Sequence, residues 1–488
     1  LASGLFLVQW LSLSVALIAQ PDVGEMTKIN RNMGSPIEID PEQVSAAGIR
    51  QLRGKHLLLY TDIPERADID ELTTVFDAAV PQWCRLLDVR EAKSKPWCLV
   101  AFLIRDREKF QKAGLMPDDL PDFPTGFNRG FHFWVYEQPG NYYTRHLILH
   151  EGTHAFMQWF LSGSGPAWYS EGMAEKIGLH RWQNQALEIN ARLTSNRQCD
   201  YWGRPRFINE ALQRNHGVRL DQVFDFGAIN FKDVGSYAWS WAACEFLSRH
   251  PTAADEFRRL TKHAENTSTA FSAKFKSWFS KTEWDELERD WRLFVTELTY
   301  GTTSDRTSLT AAQVREAANG TEISLSCDRS WQSIGRLVKD GDVFSISATG
   351  EFTVMQVDPT RPLRDQDFHL PDELQNTLFE RDSSSSTEES ESGGKNKNAS
   401  SPAAGAAGER TRIPCDAGGI TLRYYRGNRL GMLMAAVLQD DQTLSDPIPV
   451  GLGQSFTTNA SGTLVFRINE SPAQLHDNAG ELRILLKK

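Results

Sequence analysis

Residues 147–156 read LILHEGTHAF, and no other stretch constrains the chain as tightly. Apolar side chains flank His150, Glu151 and His154 on both sides, so the helix they form is one that folding buries. Buried ring nitrogens and carboxylates need compensating partners. Histidines four apart on a helix differ by about 40° around its axis, so both rings can face one ion. Glu151 follows the first histidine and is set to reach a water on that ion rather than the ion itself. The spacing therefore predicts zinc on His150 and His154, with Glu151 as general base. Zinc lowers the pKa of a water it holds to about 7, and the carboxylate takes the proton. The competing reading of the same residues is a surface helix with two solvated histidines.

A catalytic zinc needs a third protein ligand and one open position. The three-histidine extension of this motif would require Gly at 157 and His at 160, where this chain has Met157 and Phe160. After sixteen intervening residues Glu171 arrives instead, within PAWYSEGMAE at 166–175. HEGTH followed by WYSEGMAE resembles the gluzincins, the thermolysin-like and aminopeptidase N-like zinc metallopeptidases, and is closest to their secreted bacterial members. The likeness covers residues 50–300 in layout, and those two motifs are its specific part. The resemblance implies His150, His154 and Glu171 as zinc ligands, Glu151 as general base, and Glu175 as a group that orients a ligating histidine. Thermolysin-type enzymes carry Asp at the place of Glu175. The resemblance also implies that Tyr237, in DVGSYAWSWAACEFL, donates to the oxyanion, with Tyr169, Tyr201 and His216 as alternatives. It makes residues 131–136 an exposed edge strand that pairs with an extended peptide. The exopeptidase motif GxMEN has no counterpart upstream, which leans toward internal cleavage.

The surroundings read as an α+β domain followed by an all-β sandwich. Residues 56–61 and 98–104 are strand-like, 68–87 has helical spacing, and 131–136 (FHFWVY) is a further strand. Residues 142–161 form the long helix, and the pattern stays mostly helical to about 300. Residues 301–312, rich in Gly, Ser and Thr, read as a linker. Short strand-like runs then recur to the end: 322–326, 342–348, 352–357, 420–425, 432–438, 463–468 and 482–486. Residues 382–408 lack apolar periodicity and are expected to be a disordered insertion.

Residues 315–488 carry a second resemblance, to the calcium-dependent galactose-binding bacterial lectin fold, through SIGRLVKDGDVFSISATGEFTV and SGTLVFRINESPAQLHDNAGELRI. It implies Ca2+ on Glu470, Gln474, Asp477 and Asn478, and carbohydrate as a partner. Glu and Gln replace the family's Asp and Thr, and its upstream Tyr ligand has no clear match.

Composition sets the remaining bounds. At 488 residues the chain exceeds one ordinary core. Its formal charge of -10 argues against nucleic acid, which requires a basic surface. Residues 1–19 are apolar and uncharged and read as a signal peptide, or as a membrane anchor, placing the protein outside the cytoplasm. Cys84–Cys98 and Cys327–Cys415 are the expected pairings if disulfides form, against buried free thiols. The leading expectation is a secreted zinc metallopeptidase acting on peptides. The alternative is a non-catalytic surface protein that binds glycan or protein on a peptidase-like scaffold.

Overall fold

A computed structural model describes residues 37–357 and 411–488. The expected signal peptide and insertion lie outside them. The chain divides into two compact units, Leu1–Ser164 with His180–Asn190, and Gly165–Leu179 with Ala191–Lys488.

The first unit is built on a five-stranded mixed sheet. Its strands are β1 (Arg50–Arg53), β2 (Leu57–Thr61), β3 (Leu99–Ile104), β4 (Gly126–Arg129) and β5 (His132–Tyr136), in the order β1-β2-β3-β5-β4. Strands β2, β3 and β5 run parallel, while β1 and β4 pair antiparallel on the two edges. Alternate residues Leu58, Tyr60, Phe102, Ile104 and Trp134 pack with Phe110 and Leu115 on one face. The other face receives helix α1 (Leu72–Leu86), whose Leu72, Val75, Phe76, Ala79, Val80 and Trp83 fall on one buried stripe. Helix α2 (Asn141–Phe160) packs beside it and is buried continuously from His146 to Met157. A hairpin, β6 (His180–Gln183) with β7 (Ala186–Ile189), completes the unit.

His132 sits inside this sheet, 4% exposed, and its Nε2 accepts from the Ile37 amide at 3.3 Å. Burial, reinforced by Arg129, pushes its imidazole down to about 4. The unfolded chain takes up that proton near pH 6.5, the folded chain only near pH 4. Stability is therefore expected to fall as pH drops through this window, by up to roughly 3 kcal/mol. Urea unfolding of the wild type and of His132→Gln at pH 7 and pH 5 checks this; an equal pH dependence in both chains would contradict it.

The second unit opens with helix α3 (Ala167–Gly178) and continues through α4 (Arg204–Gln213), α5 (Val234–Arg249) and α6 (Lys281–Thr296). Helices α3 and α5 lie side by side and parallel. Gly172 abuts the Ser240 carbonyl, where a Cβ would clash with it, and four residues on Lys176 pairs with Glu245 at 3.3 Å. Asp233 caps α5 at the Gly235 amide, and Ser280 with Glu283 forms a capping box on α6.

Two five-stranded sheets form the C-terminal sandwich. One contains β9 (Gln313–Ala317), β10 (Gly320–Ser326), β12 (Val343–Thr349), β19 (Ser455–Thr457) and β21 (Glu481–Lys487); the other contains β8 (Thr310–Ala311), β11 (Gln332–Val338), β17 (Leu433–Leu438), β18 (Ile448–Pro449) and β20 (Gly462–Ile468). Strands β13 (Phe352–Val357) with β14 (Thr411–Cys415), and β15 (Ile420–Tyr425) with β16 (Asn428–Leu430), add two smaller pairs. Strand β12 alternates buried and exposed residues, so one face of its sheet meets water. The β17 sheet is covered on both faces: Leu433, Ala435 and Val437 join the sandwich core, whereas Met434, Ala436 and Leu438 join a second cluster with Trp331 and Val465.

Three expectations need correction. Residues 301–312 are not a free linker. They form a short helix, Ser304–Thr307, and strand β8, and Thr302, Thr303, Ser304, Thr307 and Ser308 are buried. Their hydroxyls satisfy backbone carbonyls, with Ser304 Oγ donating to Phe246 O at 2.6 Å and Ser308 Oγ to Ser304 O at 2.6 Å. The sheet edge is β4, not the 131–136 strand, because β5 pairs on both sides. All six cysteines are free, so neither expected disulfide is present.

Candidate metal centre

Helix α2 carries its polar residues on a buried stretch. His150 is 4% exposed, Glu151 5% and His154 7%. The two imidazoles converge, His150 Nε2 lying 3.1 Å from His154 Nε2. Tetrahedral zinc with bonds of 2.0–2.1 Å spaces two nitrogen ligands about 3.3 Å apart, so the pair has the spread such an ion requires. Gly152, the third residue of HEGTH, meets α1: a Cβ there would lie 2.5 Å from Phe76 Cε2 and 2.8 Å from Trp83 Cη2. Close helix packing thus fixes the rotation of α2 and, with it, the direction of both rings.

Glu151 faces β4. A Cβ at Gly126 would lie 2.5 Å from Glu151 Oε1, and Asn128 Nδ2 donates to the Glu151 carbonyl at 3.5 Å. The edge strand and the expected base are therefore direct neighbours.

His146 was not singled out from the sequence. It is fully buried one turn before His150, with ring centroids 6.0 Å apart, and it stacks near Tyr143 at 5.7 Å. The signal was available as His at 146, 150 and 154, three rings on one helix stripe. The three histidines belong to helix α2 of the first unit, and Glu171 and Glu175 to helix α3 of the second.

Glu175 is 1% exposed and saturated by donors. Trp202 Nε1 donates to Oε2 at 2.8 Å, Arg204 Nε to Oε2 at 3.1 Å and Arg204 Nη2 to Oε1 at 2.8 Å. Tyr237 stands in the first turn of α5, half-buried, with Phe231 edge-on at 5.0 Å and the Arg204 guanidinium 5.9 Å from its ring centroid. The alternatives to Tyr237 fare differently. Tyr169 is fully buried, bonded to Thr261 Oγ1 at 3.1 Å, and burial drives its hydroxyl pKa up. Tyr201 and His216 are exposed.

In the sandwich, Glu470 and Asn478 are brought together, Asn478 Nδ2 donating to Glu470 Oε2 at 2.7 Å and to the Cys327 carbonyl at 2.9 Å. Two acceptors fix the orientation of that amide, leaving its Oδ1 buried with no hydrogen bond among the described residues. Asp477 is half-buried, and Gln474 precedes the short 3-10 turn Leu475–Asp477 without a side-chain cap.

No protein-family model matches the chain, and no curated protein matches it. Among solved structures it is similar to a chain described as "EclA N-terminal domain; PllA-like lectin", at 15% identity and a TM-score of 0.18, over 34% of this chain and 92% of that one. A likeness of that size does not bear on function. Among the described residues no helix is long and apolar enough to cross a membrane.

Proposed function

We propose that this chain is a zinc-dependent hydrolase of the gluzincin type that cleaves peptide bonds outside the cytoplasm. The observation that carries the reading is the convergence of His150 Nε2 and His154 Nε2 to 3.1 Å on a buried helix, with Glu151 beside them against an edge strand. An ion-free pair of buried imidazoles would account for the distance alone, but not for a carboxylate acceptor buried at the next residue.

His150, His154 and Glu171 would hold the zinc. When bound, zinc would lower the pKa of a water and polarise the scissile carbonyl. Glu151 takes the proton of the attacking water and returns it to the leaving amine. Tyr237 donates its hydroxyl to the developing oxyanion. Glu175, which accepts hydrogen bonds from Arg204 and Trp202, would orient a ligating histidine. Strand β4, an edge of the sheet among the described residues, fits the addition of an extended peptide, which supports a peptide substrate. The extracytoplasmic assignment rests on the uncharged apolar residues 1–19.

Metal analysis of the purified chain is expected to return one zinc per molecule, and a peptide-library digest is expected to show internal cleavage that chelation abolishes and zinc restores. Absence of stoichiometric zinc, or cleavage that survives full metal removal, would overturn the proposal.

Asn478 Oδ1 favours a second reading for the sandwich, a Ca2+ site through Glu470, Gln474, Asp477 and Asn478 that serves a carbohydrate. It is the binding-protein alternative to catalysis. Equilibrium dialysis with calcium on the full chain is expected to give one site that Glu470→Gln abolishes; equal uptake by both chains would remove it.

A further inference from the structure

We propose that Arg204 is a positioning residue of the zinc site, one that fixes Glu175 and Tyr237 in a single mutual arrangement. The inference rests on the hydrolase reading and adds to it a residue that neither the motif nor the resemblance marks. Arg204 is 5% exposed, a costly place for a cation unless its donors are used. Two of its nitrogens fork onto the two Glu175 oxygens, and Nη1 donates to the Trp202 carbonyl at 3.2 Å. The same guanidinium lies 5.9 Å from the Tyr237 ring centroid. One rigid planar group thus binds a proposed ligand-supporting carboxylate and lies within cation–π range of the ring of the proposed oxyanion donor, which come from different helices.

The loop that delivers it is strained. Tyr201 has φ 67° and Gly203 φ 56°, left-handed residues on either side of Trp202. A tyrosine in that region costs energy and persists where surrounding contacts over-determine it. The two reversals are what let Trp202 Nε1 and the Arg204 fork reach the same carboxylate. Arginine supplies a geometry here that lysine does not, since its planar fork holds both oxygens at once.

The test separates positioning from simple charge pairing. Removing both members in Arg204→Met/Glu175→Gln leaves no buried unpaired charge, so the fold is expected to persist with an unfolding midpoint near that of wild type. Zinc affinity, read by chelator competition, is nevertheless expected to fall about 10- to 100-fold. The value of kcat is expected to fall with KM unchanged, because Arg204 does not touch substrate. Arg204→Lys is expected to recover only part of both. Wild-type zinc affinity together with wild-type kcat in the double variant would overturn the proposal, reducing the pair to structure alone. If the double variant does not fold, Arg204→Lys carries the test by the same two readouts, and full recovery of both in it overturns the proposal. Wild type and Glu151→Gln are assayed in parallel. A wild type without cleavage marks failure of the hydrolase reading, and the zinc-affinity arm still decides Arg204.

Discussion

Glu151→Gln is expected to leave a folded, zinc-loaded protein whose turnover drops by about 10²- to 10⁴-fold, the range for loss of a general base. The substitution is close to isosteric, so the amide occupies the space that Glu151 Oε1 holds against Gly126. It removes none of the expected ligands, His150, His154 and Glu171, so metal content stays at the wild-type level. What disappears is the capacity to take a proton at that atom. Because the base acts after the substrate is seated, the loss falls on kcat far more than on KM. Steady-state kinetics on a cleaved library peptide, paired with metal analysis of the same sample, reads both. A glutamine variant with wild-type kcat would remove Glu151 from the chemistry and the peptidase mechanism with it.

The second large effect concerns stability. Glu297 follows helix α6 and Arg467 lies on β20; they are 7% and 4% exposed. Arg467 Nη1 donates to Glu297 Oε1 at 2.7 Å and Oε2 at 2.8 Å, Nη2 donates to the Glu470 carbonyl at 2.6 Å, and the guanidinium lies 5.1 Å from the Trp331 ring centroid. Deleting one partner of a buried pair strands the other charge and typically costs about 3–5 kcal/mol. Glu297→Ala is therefore expected to lower the unfolding midpoint of the second unit sharply. Glu297→Met/Arg467→Met removes both charges and is expected to recover most of that loss. Calorimetry on the three chains decides the matter: a double variant no better than Glu297→Ala would mean that the lost contacts, not the stranded charge, set the cost.

Part of the architecture was legible in the sequence and part was not. Helix α2 was legible almost to the residue, Asn141–Phe160 against an expected 142–161, because a long apolar run around HEGTH admits few alternatives. Strand β12, Val343–Thr349, was legible as the strand-like run 342–348. The segment after residue 300 misled, since Ser and Thr hydroxyls that cap buried carbonyls have the same composition as solvated linker. Strand β4, Gly-Phe-Asn-Arg, has too few apolar positions to declare itself and exists because β5 pairs with it. Within the candidate site, the converging rings of His150 and His154 and the neighbouring Glu151 were legible as a motif. Arg204 was not, since its partner Glu175 lies 29 residues away and the contact depends on tertiary folding.

Gly126 carries a consequence of its own. The volume a side chain would fill at that position is already occupied by the carboxylate of Glu151. Any larger residue there would push the Glu151 carboxylate from its position while changing no chemical group itself. In a saturation screen, substitutions at this edge-strand glycine are expected to act through Glu151, lowering turnover to the extent that the displaced carboxylate does not find its place again, and a count of reactive side chains alone would pass over the position.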